Sequence, residues 1–123
     1  MKNRKFKMIL GEVNISFPAV LVLEDGQIVR VSAVQDIKAG RNGEIYIYTL
    51  NTVYSNEETY RIPCRGILTD NVFIGNPVVL VKENYEMAKT SAVQNFLKIN
   101  NTIFIFTRNT TYYYDCNVCN SVY

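Results

Sequence analysis

The chain has no histidine. That removes the commonest general base and the commonest metal ligand, and with them any Ser-His or Cys-His nucleophile. The six glycines are scattered, and none falls into a phosphate-cradling loop. The three cysteines are an odd number, against a disulfide framework, and point to a reducing, cytoplasmic compartment. No apolar run approaches the length of a membrane span. Met8-Ile9-Leu10, behind a basic start, is too short for a signal-peptide core. Charge of either sign is sparse, with 13 basic against 11 acidic residues, so acidic mimicry of a nucleic acid is excluded. Lys2, Arg4, Lys5 and Lys7 crowd into the first seven positions, so the basic character reads as an N-terminal arm rather than a surface spread over the fold.

What is present is a module written twice. Residues 13–54 align with 72–112 across a single one-residue gap, and seventeen aligned positions are identical. They include Pro18 and Pro77, Val-Leu-Val at 20–22 and 79–81, Ser-Ala-Val-Gln at 32–35 and 91–94, and Thr-x-Asn-Thr-x-Tyr at 49–54 and 107–112. Repeated modules bury similar faces together. The expectation is one all-β domain of 123 residues made of two repeats, about 7–56 and 66–115. Each would be a five-stranded SH3-like or OB-like half-barrel, the pair packed with pseudo-twofold symmetry.

Abundant Val, Ile, Tyr and Thr between Asp-Gly and Asn-Asn breaks carry the strand signal. Strands are expected over about 5–15, 19–24, 27–34 and 44–49, then from Thr52, with a two-residue turn at Asp25-Gly26, a loop over Gln35–Gly43 and a turn at Leu50-Asn51. The second copy gives 78–83, 86–93, 102–107 and 110–114, with a short helical turn over Asn95–Lys98. The linker, about Glu57–Gly66, holds an extended piece at Thr59–Ile62. Ile45-Tyr46-Ile47-Tyr48 and Ile103-Phe104-Ile105-Phe106 are large and apolar on both faces. Their aromatic faces either pack the copies or meet a partner.

Three groups of residues bear on chemistry. Cys116 and Cys119 have the spacing of half a zinc site, but only Cys64 remains as a third thiolate, so they read as plain thiols and no cofactor is expected. Glu57 and Glu58 are adjacent, and on extended chain they point to opposite sides. An enzymatic role is not expected. The repeated polar signature is the best binding candidate. Asn51 and Asn109 sit in tight turns, Tyr54 and Tyr112 on the return strands, Gln35 and Gln94 at preceding strand ends, and Arg30, Lys89 and Arg108 nearby. The same residues serve equally as devices that fix strand register. Tyr60-Arg61 and Tyr112-Tyr113-Tyr114 interleave aromatic and basic character, which suits base stacking or a protein interface.

The Ser-Ala-Val-Gln block, preceded by Thr90 in the second copy, with Thr-x-Asn-Thr-x-Tyr some 15 residues on, resembles a group of small all-β proteins of bacterial phages and mobile elements. Those proteins carry one Thr-Ser-x-Val … Thr-x-Asn-Ser/Thr-x-Tyr module. The first copy departs from the pattern with Val31 in place of the Thr. The resemblance implies a small β-barrel and a phage-type, anti-defence-like accessory protein that captures a host protein or a small nucleotide signal. The alternatives are a nucleic-acid-binding module using the basic arm and a tyrosine-bearing sheet, and a structural assembly component. A homodimer is the favoured oligomer, and no membrane is expected among the partners.

Overall fold

The computed structural model describes residues 1–63, 67 and 72–115. Among these the chain is all-β, and it divides into two compact units, Met1–Glu58 and Thr59–Tyr123. Cys64, Cys116 and Cys119 lie outside the described residues.

The first unit has six strands: β1 (Lys2–Leu10), β2 (Val20–Leu23), β3 (Ile28–Arg30), β4 (Asp36–Ala39), β5 (Ile45–Tyr48) and β6 (Thr52–Asn56). They form one sheet in the order β3-β2-β1-β6-β5-β4. All neighbours are antiparallel except β1 and β6, which run parallel with Arg4 opposite Tyr54. β1 therefore serves two partners. Its first half follows β6, and after a bulge between Phe6 and Met8 its second half follows β2. A bulge bends and twists a strand, which lets one strand lie along two differently directed neighbours.

The second unit has β7 (Thr59–Arg61), β8 (Val79–Val81), β9 (Met87–Lys89), β10 (Val93–Ile99), β11 (Thr102–Thr107) and β12 (Thr111–Asp115). The order β10-β11-β12-β7 includes a parallel β12–β7 pair, and β8 and β9 form a hairpin that Ile67 bridges at Leu80. Among the described residues, four of the first unit's five strand pairings recur here; the β1–β2 pairing does not, and only the Ile67–Leu80 bridge stands in its place. Val31 N–H donates to Ala19 O at 2.8 Å, and Thr90 N–H to Val78 O at 2.9 Å. Phe17 N–H donates to Asn14 O and Asn76 N–H to Phe73 O, both at 3.2 Å. The alignment gap falls in one hairpin. Gly40 and Glu44 close three loop residues between β4 and β5, whereas Ile99 and Thr102 flank only Asn100-Asn101 between β10 and β11.

Several expectations change. Each unit begins earlier than its aligned repeat, at residues 1 and 59, because β1 and β7 pair with the last strand of their own unit. The basic N-terminus is accordingly part of a strand, with Lys2–Lys5 paired to β6, not an arm. The expected loop 35–43 contains β4, and the expected helical turn 95–98 lies inside β10. Neither segment has turn chemistry strong enough to resist pairing with the apolar strand beside it, β5 or β11. The turn at Asp25-Gly26 spans three residues, Glu24-Asp25-Gly26, closed by Leu23 N–H to Gln27 O at 2.8 Å. Barrel closure is not seen among the described residues, where β3 and β4 remain the two ends of an open sheet.

The core follows the side-chain alternation. In the second unit Ile62, Val78, Leu80, Val93 and Ile105 form one buried cluster, with Ile103, Tyr112 and Tyr114 packed against it. In the first unit Ile45 and Ile47 are fully buried while Tyr46 and Tyr48 are half-buried. Phe104 and Phe106 have no exposure at all, so of the two readings of the aromatic face on β11, internal packing holds and an open partner surface does not.

Candidate functional site

The repeated Thr-x-Asn-Thr turns are built alike. Thr49 N–H and its hydroxyl both donate to Thr52 O at 2.9 Å, and Thr107 does the same to Thr110 O at 2.9 and 2.7 Å. Thr49 and Thr107 are buried, so these bonds satisfy groups that water cannot reach. This is the register-fixing role. Asn51 and Asn109 are left exposed at the turn tips.

The first unit carries a depression of about 530 Å³ beside its turn, lined by Ser32, Ala33, Gln35, Ile15 and Leu50. Ser-Ala-Val-Gln and the Leu50-Asn51 turn do meet here, as the sequence suggested. The expected pocket of Asn, Gln and Tyr does not assemble, because Tyr54 is buried on β6 with only 8% exposure. Arg30 and Lys89 are exposed on the β3 and β9 hairpin strands, Arg108 is exposed beside Asn109, and the Gln94 amide donates to Ala92 O at 3.3 Å. Of the candidates from the repeated signature, Tyr112 lines the groove described next, as do Tyr60 and Arg61 of the interleaved aromatic and basic residues.

That groove, about 600 Å³, belongs to the second unit. Its floor is the parallel pair β7–β12, with Tyr60 opposite Tyr112 in register. Their ring centroids are 6.5 Å apart and the planes are tilted by 47°. Tyr112 is half-buried and held by the core cluster, while Tyr60 is 62% exposed. The result is an aromatic ledge with one ring anchored and one open. A base stacked on such a ring gains about 1–3 kcal/mol. Arg61 follows Tyr60 on β7, and Thr110 precedes β12 at the other side of the floor. The wall is the β8–β9 hairpin tip, Lys82-Glu83-Asn84. The Asn84 carboxamide oxygen accepts the Glu86 N–H at 3.1 Å, which braces the tip.

The corresponding place in the first unit is chemically different. Arg4 stands opposite Tyr54 where Tyr60 stands opposite Tyr112. Buried Leu23 holds the turn position of Lys82, and Asp25 that of Asn84. Lys5, at the strand position of Arg61, gives its Nζ to Glu57 at 3.0 Å. That contact raises the Lys5 pKa above the ordinary lysine value, chiefly through the hydrogen bond and then the charge of Glu57. Among the described residues neither Arg61 nor Lys82 has a salt bridge. Lys82 and Asn84 were missed in the sequence because a hairpin tip carries no sign of which strand pair it folds beside.

Among the described residues no group of His, Cys, Asp and Glu is placed to hold a metal ion. Comparison with known proteins finds no matching family model, no similar curated protein and no similar solved structure.

Proposed function

We propose that this chain is a non-enzymatic binding protein that works by stoichiometric capture, with the groove of the second unit as its ligand site. One observation carries the reading. An anchored tyrosine and an exposed tyrosine lie side by side, flanked by two cations that make no salt bridge among the described residues. Aromatic faces and unpaired cations are what a flat, anionic ligand requires. The chain offers no histidine for proton transfer there. In the phage-type setting that the sequence resemblance implies, such capture removes a signal from a host rather than transforming it. The four strand pairings that the units share support reading them as tandem copies of one SH3-like or OB-like half-barrel, of which the second has taken on the binding role.

The test is retention of a small molecule. The purified protein is mixed with a protein-free extract of bacterial cells, desalted, denatured and analysed by mass spectrometry. One unaltered ligand per chain is expected, lost in Tyr112→Ala. Equal retention by that variant, or release of a changed product, refutes the reading.

A second reading rests on a different surface. Ile15, Phe17 and Leu50 are at least half exposed, and Ile15 and Leu50 line the depression of the first unit. Exposed apolar side chains gathered in one place suit a protein partner. Loss of a co-purifying protein on Phe17→Ser and Leu50→Ser, with the small ligand retained, is the outcome that favours it.

A further inference from the structure

Resting on the capture reading, we infer that the groove takes a nucleoside phosphate, with its base on the Tyr60–Tyr112 ledge and its phosphate toward Arg61 and Lys82, one ligand per chain.

The ledge fixes the ring part. Tyr112 is packed against Ile105 and its neighbours, so its plane is set before any ligand arrives. Tyr60 lies beside it at a 47° tilt, so the two rings make an angled seat rather than a slot. A flat base covers one ring face and meets the other at its edge, which are the two arrangements aromatic pairs favour. An aliphatic ligand gains nothing from that angle.

The cations fix the anionic part. Arg61 borders the groove from β7 and Lys82 from the hairpin tip; the Arg61 side chain leaves the face of β7 opposite Tyr60, so its guanidinium meets the phosphate around the edge of β7, the end strand of its sheet. A guanidinium fork and an ammonium together suit a phosphate better than a lone carboxylate. The Asn84 oxygen is already engaged by the Glu86 N–H, which leaves its amide hydrogens as donors to a ligand acceptor. Glu83 brings a carboxylate to the same rim, so the residues there do not form a uniformly positive well. A groove of about 600 Å³ is of the size that small-molecule sites occupy.

The stoichiometry comes from the first unit. There Arg4 replaces the open tyrosine, Leu23 the hairpin lysine, and Lys5 is tied to Glu57. The scaffold is repeated; the seat is not.

Calorimetry on the full chain tests this with AMP, GMP, their 3′,5′-cyclic forms, the parent nucleosides and inorganic phosphate. At least one nucleotide is expected to bind at one per chain. Its nucleoside should bind at least tenfold more weakly, and inorganic phosphate should not bind detectably. Arg61→Gln with Lys82→Gln should erase the preference for nucleotide over nucleoside. Tyr60→Leu should weaken both, and Arg4→Gln should change nothing. All four substituted residues are exposed, and circular dichroism verifies that each variant folds. Nucleosides binding as tightly as nucleotides, a stoichiometry of two, or silence across the panel would each overturn the inference. A silent panel beside a ligand retained from cell extract removes the nucleotide class and leaves capture standing; failure of both removes both.

Discussion

Tyr60 and Tyr112 occupy paired positions on two parallel strands that are far apart in sequence, and their rings meet at 6.5 Å. Arg4 and Tyr54 hold the matching positions in the first unit, where Tyr54 is buried. One difference on the strand beside the last strand, together with the partial exposure of the repeated tyrosine, separates an aromatic ledge from a packed core.

The charge at the rim of the groove sets the sign of one test. Glu83 is exposed on the hairpin tip and repels an anionic ligand. Glu83→Gln is therefore expected to tighten nucleotide binding severalfold and Lys82→Gln to weaken it by a similar factor. Both effects should shrink at high salt, because exposed charges are screened. Titrations at two ionic strengths check this.

The hairpin turns offer a stability test in both directions. Gly26 holds φ +87 at the end of the β2–β3 turn, and Tyr85 holds φ +67 at the same place in the β8–β9 turn. The left-handed region costs a non-glycine residue about 1–2 kcal/mol. Tyr85→Gly should stabilise the second unit by about 1 kcal/mol, and Gly26→Ala should destabilise the first by a similar amount. Urea unfolding followed by circular dichroism reads both.

The buried threonines make the third test. Thr107→Val keeps the shape but deletes the hydroxyl that donates to Thr110 O and accepts the Thr110 N–H. A loss of about 1–2 kcal/mol is expected. Ile105→Ala, at the centre of the second core cluster, should cost about 2–5 kcal/mol. Equal small effects from both substitutions would contradict the described packing.

Alkaline pH should weaken the first unit. The Lys5 pKa is raised by Glu57, and the Tyr46 pKa is raised first by its burial and then by Glu44 and Glu57. A raised folded pKa means that the contribution is complete below the unfolded value and is lost as pH rises through the folded one. The melting temperature should hold at neutral pH and fall above about pH 10. Lys5→Met and Tyr46→Phe should each flatten that fall. An unchanged slope in both variants would exclude these two groups as its source.

Deletion of residues 1–7 removes half of a strand bonded to both β2 and β6. Collapse of the β signal of the first unit is expected, whereas Lys2→Gln with Arg4→Gln should leave it intact. If the chain binds nucleic acid, only the second comparison reports on charge.

The sequence determined the all-β class, the repeat, the Thr-x-Asn-Thr turns and the burial of the Ile45/Ile47 and Ile105 faces. Each of these follows from neighbours a few residues apart: alternation, turn chemistry, identity at fixed spacing. The loop read over 35–43 and the helical turn over 95–98 were wrong because weak local signals yield to strong strands alongside, β5 and β11. Tertiary structure alone decided the roles of the two tyrosines of the repeated motif. Tyr54 and Tyr112 stand in the same six-residue pattern, yet one is core and one is ledge. Their difference comes from Leu23 against Lys82 on the neighbouring hairpin and from Arg4 against Tyr60, brought beside them by a parallel pairing across a whole unit. No short-range pattern encodes such a pairing, since its partners are chosen by the sheet as it closes rather than by the chain as it is read.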